Sequence, residues 1–372
     1  MKRMKMTYLL ATILAFSSCK KAANKEAIEQ EWMVSAFVGA GGAGYNDGIG
    51  EKAAFNRANS MTTDANGNIF VVDRLNLRIR KVSKDGVVTT FAGDGNEGFV
   101  NGPGATARFG YNNEITCDAQ NNLYLTDPSN SCIRKITPDG VFSTFTTDVQ
   151  IENFADIAVD PSNNIYYIDK RGIGKVTPNG TASIIVQNGS SNIIGPIATA
   201  SIPNPTSLCA DNKGNVYVAS YRSANVVIFK IGTDGIVSVA AGSFDGEEGF
   251  QLGFALVAKL RTVRNMTTDK SGNVYIVDNN HAITKITPDG FLRLVAGANY
   301  AGIGAQPFVP GPAFEAVFGD ISDVAVDPTG IIYALEDINS ASIRKISLVD
   351  TSSPPSQSEI EKANWNKPTG WK

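Results

Sequence analysis

The feature that most constrains this sequence is an internal repeat of two paired motifs. The first motif is an Asp-initiated turn followed by an apolar and aromatic run, such as DANGNIFVVD from Asp64 and DKSGNVYIVD from Asp269. The second is a lysine-containing run that ends in a turn, such as RIRKVSKDG from Arg78. The first motif begins at Asp64, Asp118, Asp160, Asp211, Asp269 and Asp327, at spacings of 54, 42, 51, 58 and 58 residues. Six matched pairs predict a repeat architecture.

Each unit resolves into four predicted strands. A short apolar strand ends at the aspartate, and an Asp-x-x-Gly-Asn turn leads to a second, β-rich strand. A third strand and a Pro-Asp-Gly turn then lead to a fourth, as in Phe291 to Ala296. Strands such as Ile69-Phe-Val-Val72 are apolar on both faces, so both faces of each sheet are covered. We therefore predict an all-β, six-bladed β-propeller spanning residues 33–350.

The first and last units predict how the ring closes. The sixth unit stops at Leu348 without a fourth strand, whereas Val34-Ser-Ala-Phe-Val-Gly39 resembles the fourth strand Val88-Thr-Thr-Phe-Ala-Gly93. We expect the N-terminal strand to complete the last blade by pairing with Ile343–Ile346. Such pairing would remove an exposed sheet edge.

These motifs resemble the NHL-repeat family of six-bladed propellers, in which a G-N-[IV]-[YF]-V-x-D strand and an R-[IV]-x-K-[IV] strand recur. The resemblance covers nearly all of the chain after the first 32 residues. It implies the propeller fold but not one activity, since the family includes both scaffolds and enzymes. Residues 351–372 fall outside the resemblance and are predicted to be a polar tail.

The N-terminus is predicted to be a targeting segment. Lys2, Arg3 and Lys5 precede a short apolar stretch that ends at Ser17-Ser18-Cys19. This order is typical of a secretory signal peptide. The cysteine after two small residues resembles a bacterial lipobox, although Phe16 departs from the usual aliphatic residue. We expect a signal peptide over 1–18, lipid attachment at Cys19 and a tether over 19–32. The predicted location is the cell envelope, at the outer membrane, with the side left open.

Composition excludes some classes of partner. The 33 basic and 36 acidic residues give a net charge of −3, which offers no field for steering onto nucleic acid. No apolar run is long enough to span a bilayer, so membrane association is expected through the N-terminal lipid alone.

We expect no cofactor, because His281 is the only histidine and no Cys/His spacing indicates a metal site. Cys117, Cys132 and Cys209 are interpreted as buried thiols, with a Cys117–Cys132 disulfide as the alternative.

The links between units are long and are the predicted binding surface. Each ends in a pattern of alanine followed two residues later by Phe, Leu or Ile, interpreted as an anchor to the blade. Aromatic, acidic and arginine side chains nearer the loop tips suit contact with a sugar or a peptide. The candidate ligand-binding residues are Tyr45, Asp47, Phe99, Tyr111, Arg171, Tyr221, Arg222, Phe244 and Tyr300. The repeated aspartates are predicted turn formers rather than catalytic pairs.

Two functional hypotheses remain open. The first is a non-catalytic binding or scaffold module that recognises an envelope protein or glycan through the long links, with no catalytic residues. The second is a propeller enzyme of the lyase or lactonase type, with a metal at the central channel. Lyases that resemble NHL propellers bind metal through histidines, which this chain lacks apart from His281. Lactonase-type propellers use Glu, Asn and Asp, for which the candidates are Glu114, Asn112, Asp127 and Asn153.

Overall fold

The computed structural model describes residues 30–39, 42–222, 225–242, 244, 249–278, 281–297, 308–337 and 341–350. The predicted signal peptide, Cys19, most of the predicted tether, the predicted tail 351–372 and Tyr300 lie outside these residues. The regular secondary structure of the described chain is nearly all β, with 54% strand and 4% helix, and forms six antiparallel sheets arranged as the blades of a propeller. The predicted fold class is therefore confirmed. Among the described residues, no helix is long and apolar enough to cross a membrane.

Each blade is ordered from an inner strand to an outer strand. The inner strands are Ala58–Thr63, Ile115–Cys117, Ile157–Val159, Pro205–Ala210, Val263–Thr268 and Ile321–Val326. The second strands are Ile69–Asp73, Leu123–Asp127, Ile165–Asp169, Val216–Arg222, Val274–Asp278 and Ile332–Asp337. The third strands are Arg78–Val82, Cys132–Ile136, Gly172–Val176, Asn225–Ile231, Ala282–Ile286 and Ala341–Asp350. The outer strands of blades one to five are Val87–Ala92, Val141–Thr146, Ala182–Gln187, Ile236–Ala241 and Phe291–Ala296.

The hydrophobic core lies between neighbouring blades, because each sheet is apolar on both faces. One cluster joins Phe55 and Val71 of the first blade to Tyr333 and Leu335 of the last. Another joins Val72 of the first blade to residues of the second blade such as Phe109. Burial of this kind requires the whole ring, since a single blade would leave both faces exposed.

The N-terminal strand closes the ring as predicted. Gln30–Val38 is the fourth strand of blade six and pairs antiparallel with Ala341–Asp350. Ser35 lies opposite Lys345, and Val38 lies opposite Ile343, across a bulge that follows Ala36. The first and last strands of the described chain thus share one sheet.

Within the described ranges, five blades have a fifth strand that the sequence analysis did not predict. Two residues from the preceding link pair with the outer strand, at Gly48–Ile49, Gly102–Pro103, Gly195–Pro196, Gly253–Phe254 and Gly311–Pro312. Blade three has four strands, and its preceding link, residues 147–155, is short. The described residues also include four single-turn 3₁₀ helices, at Gly50–Lys52, Arg74–Asn76, Pro128–Asn130 and Ala255–Val257.

The repeated aspartates form turns, as predicted. In Asp64, one carboxylate oxygen accepts hydrogen bonds from the backbone N–H groups of Asn66 and Asn68, and the other accepts from the Asn68 side chain. These turns, with the turns between third and fourth strands, define what we call the turn face. The links and the loops between second and third strands define the opposite link face.

The apolar ends of the links anchor each loop, as interpreted from sequence. Ala53, Phe55, Ala107 and Phe109 are buried, as are their counterparts in the other long links. Cys117, Cys132 and Cys209 are free thiols, so the alternative Cys117–Cys132 disulfide is wrong.

Candidate functional site

The six inner strands surround an axial channel with a cavity of about 190 Å³. Residues from every inner strand line it, including Ser60, Asp156, Asn265 and Asp323. Each inner strand enters from a link, so its first residues lie toward the link face. The polar side chains at the starts of these strands therefore lie near the mouth on that face.

Six polar residues near this mouth share one repeat position, four residues before the turn aspartate. They are Ser60, Glu114, Asp156, Ser207, Asn265 and Asp323. Some of them accept a hydrogen bond from the backbone of the next inner strand. Ser60 Oγ accepts from the N–H of Ile115 at 3.2 Å, and Asp156 Oδ2 accepts from that of Leu208 at 2.9 Å. Asp323 makes the equivalent contact with blade one. This ring of six polar residues thus includes side chains that join neighbouring inner strands through hydrogen bonds.

Glu114 departs from this pattern. Its Oε1 accepts a hydrogen bond from the Asn59 side chain at 3.1 Å, but among the described residues its buried Oε2 has no partner. Burial, and then the charges of Asp156 and Asp323, raise the pKa of Glu114 well above its usual value. Burial raises the pKa of Asp156 to about 6, against the opposing effect of its hydrogen bonds. The Glu114 side chain is therefore protonated more readily than an exposed glutamate.

Above this ring, one arginine connects three blades. Arg74, in the loop after the second strand of blade one, donates from Nη1 to Asn112 Oδ1 at 3.1 Å. Its guanidinium carbon lies 5.4 Å from the ring centroid of Phe154, in the link to blade three. Phe154 is exposed, so one ring and one cation lie together at the mouth.

The same part of the mouth has unusual backbone geometry. Arg57, Asn112, Phe154 and Asn204 have φ values of 56°, 61°, 60° and 44°, at the entrances to four successive inner strands. Asparagine adopts this left-handed region readily, but a bulky residue such as phenylalanine does so at a cost. Strain of this kind is concentrated at functional sites, where the surrounding structure maintains it. The mouth on the side of blades one to four is thus a candidate site.

A groove opens beside the mouth between blades three and four, with a cavity volume of about 480 Å³. It is lined by Glu152, Ile168, Asp169, Lys170, Asn188, Asn204, Pro205 and Thr206. Asn188 links its two sides, because its Oδ1 accepts from the N–H of Asn204 at 3.1 Å and its Nδ2 donates to Lys170 O at 3.3 Å. Lys170 Nζ lies 3.7 Å from Glu152 Oε1, and both side chains are exposed. The groove therefore presents hydrogen-bond donors and acceptors to a ligand, together with one positive and one negative side chain.

Of the candidates predicted from sequence, Tyr45 and Asp47 lie together, but at the outer side of blade one. The Tyr45 hydroxyl is hydrogen-bonded to Thr90 Oγ1 at 2.9 Å, and the Arg78 guanidinium lies 4.1 Å from the ring centroid. Asp47 accepts from buried Arg80 at 2.6 Å and from the N–H of Thr90. Both residues thus hold the link against the outer strand.

Phe99 repeats this arrangement in blade two. Buried Arg134 lies 4.8 Å from its ring centroid and donates to the carbonyl oxygens of Val100 and Arg108. Asn101, at the position of Asp47, accepts from the same arginine at 2.7 Å. The recurrence of these contacts gives Phe99 a role in fixing its link.

The remaining candidates lie in separate blades. Arg171 forms a bidentate pair with Asp169 at 2.8 and 2.9 Å, next to the groove. Tyr221 is exposed in blade four, and its N–H donates to Asn204 O. Phe244 is exposed, and its ring centroid lies 6.0 Å from that of Phe229. Tyr111 is partly buried in the link to blade two. The side chain of Arg222, like Tyr300, lies outside what the structure describes.

The four residues considered for a lactonase-type site do not all converge. Glu114 and Asn112 lie at the channel mouth. Asp127 is instead buried at the end of a second strand, where it accepts from Arg134 at 3.1 Å and from Asn130 at 2.9 Å. Asn153 lies exposed in the link to blade three. Within the described ranges, no three His, Cys, Asp or Glu side chains are grouped as a metal would require.

Sequence reasoning missed Asp156, Asp323, Arg74, Phe154 and the groove. The first two could have been found by aligning the repeats, because each lies four residues before a turn aspartate. Arg74 and Phe154 lie in loops of different length and share no repeat position that would have indicated contact.

Comparisons with known proteins support the fold. No protein-family model matches the chain. A protein of unknown function from Bacteroides thetaiotaomicron is 21% identical, with a TM-score of 0.65 over 86% of this chain and 77% of that one. An auxiliary nutrient binding protein from Bacteroides ovatus is 16% identical, with a TM-score of 0.62 over 86% and 78%. A gluconolactonase from Xanthomonas campestris is 13% identical, with a TM-score of 0.52 over 80% and 87%. This chain shares a six-bladed propeller fold with such proteins.

Proposed function

We propose that this chain is a non-catalytic, NHL-type propeller of the bacterial cell envelope, anchored through a lipid on Cys19, that binds a glycan on its link face. The observation that carries the proposal is the groove between blades three and four. Its volume of about 480 Å³ suits a ligand of one or a few sugar rings.

The chemistry of the groove suits hydroxyl groups. Sugar hydroxyls both donate and accept hydrogen bonds, and the groove presents two amides, a threonine and the Lys170–Glu152 pair. Exposed Phe154, at the nearby mouth, provides a ring of the kind on which the apolar face of a sugar stacks. A polar ligand of mixed donors and acceptors is therefore favoured over an apolar one.

Two further observations favour binding over catalysis. The carboxylates of Asp156 and Asp323 accept hydrogen bonds from the backbone of neighbouring blades, which gives them a structural role. In addition, proteins of similar fold from Bacteroides ovatus and Bacteroides thetaiotaomicron are described as auxiliary nutrient binding proteins. A binding role on this fold agrees with the groove.

The test is a glycan array screen of the mature chain carrying Cys19→Ser, followed by calorimetry with the best glycan. We expect the double variant Glu152→Ala/Lys170→Ala to weaken binding at least about tenfold, or about 1.4 kcal/mol, with an unchanged Tm. The matched control is Lys84→Ala/Asp85→Ala, which removes another exposed pair, 3.8 Å apart, from the turn face.

A triple variant, Tyr45→Ala/Phe99→Ala/Tyr300→Ala, separates the groove from the outer links. Loss of binding in this variant alone, with an unchanged Tm, would place the ligand on the links. If no glycan binds, or if the groove variant and its control bind equally, glycan binding in the groove is wrong. The anchor is tested separately by palmitate labelling in cells, which we expect Cys19→Ser to abolish.

A further inference from the structure

The repeats provide an internal comparison for the surface at the outer rim of the turn face. Each two-residue fifth strand begins with glycine, and the third and fourth residues after that glycine are exposed. In blades one, two and four these are Glu51 and Lys52, Ala105 and Thr106, and Ala198 and Thr199. In blades five and six they are Leu256 and Val257, and Phe314 and Glu315.

The fold does not require these apolar residues. In all five links the fifth strand pairs with the outer strand, and the following alanine is buried. Leu256, Val257 and Phe314 are nevertheless 59%, 61% and 61% exposed, and Phe254, beside them, is 66% exposed. Blades one, two and four place charged or small residues at the third and fourth positions, so the fold accepts such residues there.

A second group of exposed apolar side chains lies beside Phe314 of blade six. The paired strands Gln30–Val38 and Ala341–Asp350 continue past the rest of the blade, toward the turn face. Trp32 lies opposite Leu348, so their side chains share a face of this ribbon, and both are exposed. The N–H of Ala313 donates to Trp32 O at 2.8 Å, which places the ribbon directly beside Phe314.

We propose that this apolar rim, formed by Trp32, Phe254, Leu256, Val257, Phe314 and Leu348, lies on the lipid surface to which the chain is anchored. The inference rests on the proposed lipid at Cys19. Ten residues separate Cys19 from Gln30 and span at most about 35 Å when extended. The ribbon is therefore the described part of the chain closest to the anchor along the sequence.

The composition of the rim suits the boundary between headgroups and acyl chains. Tryptophan is favoured at membrane interfaces, and exposed leucine, valine and phenylalanine gain free energy when removed from water. Contact through the rim turns the turn face toward the bilayer. The groove, on the link face, then points away from the membrane toward a ligand.

The test is sedimentation of the mature Cys19→Ser chain with sucrose-loaded vesicles of phosphatidylethanolamine and phosphatidylglycerol. The rim variant is Leu256→Glu/Val257→Lys/Phe314→Ala, which introduces the residues that blades one and two carry at the same positions. The control is Ile193→Ser/Ile194→Ser, which removes exposed apolar residues from the link before blade four. We expect the partition coefficient to fall at least about tenfold in the rim variant and less than about twofold in the control.

Absence of vesicle binding by the Cys19→Ser chain, or equal loss in both variants, would overturn the proposal. So would sedimentation velocity showing a dimer that the rim variant abolishes, because a second copy would then cover the rim. Palmitate labelling of the unsubstituted chain reports on the anchor alone. A labelled chain with no rim-dependent binding would refute the rim, whereas an unlabelled chain would refute the anchor.

Discussion

Asp323 Oδ2 accepts a hydrogen bond of 2.5 Å from the backbone N–H of Met61, which lies 262 positions earlier in the chain. The contact joins the inner strand of the last blade to that of the first. The pairing of Ser35 with Lys345 closes the same ring at its outer side, within the sheet of the last blade. Ring closure thus rests on a buried carboxylate as well as on a β-ladder.

Removal of this carboxylate should weaken the closed ring. In Asp323→Ala the buried N–H groups of Met61 and Val324 lose their acceptor. We expect the free energy of unfolding to fall by about 2 to 4 kcal/mol, measured by urea denaturation. Asp85→Ala, at an exposed turn, is the control and should change it by less than about 0.5 kcal/mol. Equal stability of the two variants would contradict the role assigned to Asp323.

Arg80 should be far more important to stability than an exposed arginine. It is fully buried and donates to Asp73 at 2.8 Å and to the carbonyl oxygen of Asn46 at 2.9 Å. Arg80→Ala leaves the buried Asp73 carboxylate without its cation, so we expect a loss of about 3 to 5 kcal/mol. Arg293→Ala breaks an exposed pair with Asp289 and should cost at most about 0.5 kcal/mol. Similar midpoints for the two variants in urea would show that the buried pair contributes little.

Asp156 should make stability decline as the pH rises through the mildly acidic range. Its pKa is about 6 in the folded protein and close to 3.8 in the unfolded chain. At a pH between these two values, Asp156 therefore holds a proton in the folded state that it releases on unfolding. The unfolded state binds fewer protons there, so the free energy of unfolding falls with rising pH. The contribution is roughly 3 kcal/mol at most. We expect the stability of the wild-type protein relative to Asp156→Asn to decrease from about pH 4 to about pH 7, and a difference that rises or stays constant would contradict this assignment.

Gly174 should not tolerate a side chain. It occupies the position of Arg80 and Arg134, and a Cβ there would overlap the ring of buried Tyr167. Blade three has a short preceding link, and Tyr167 fills the space that an arginine takes in blades one and two. We expect Gly174→Ala to lower the free energy of unfolding by about 1 to 3 kcal/mol in chemical denaturation. Gly42→Ala is the control and should be near neutral, because no atom of the described residues outside its chain neighbours lies within 4 Å of the new Cβ.

Local residue patterns were enough to predict the blades. A turn aspartate such as Asp64 indicates a turn, and a short run that is apolar on both faces indicates a buried strand. The missing fourth strand of the last unit indicated that another part of the chain completes that blade. The closing strand Gln30–Val38 could be predicted because it repeats the pattern of Val87–Ala92.

Which side chains meet depended instead on the folded ring. The charges of Asp156 and Asp323 raise the pKa of Glu114 because inner strands far apart in sequence lie side by side around one axis. The contact of Arg74 with Asn112 and Phe154 depends on left-handed backbone conformations that no residue pattern indicated. Tyr45 and Phe99 contact buried arginines because the links fold back onto the outer strands. Such contacts depend on blade twist and loop path, which are set by packing of the whole ring rather than by any single repeat.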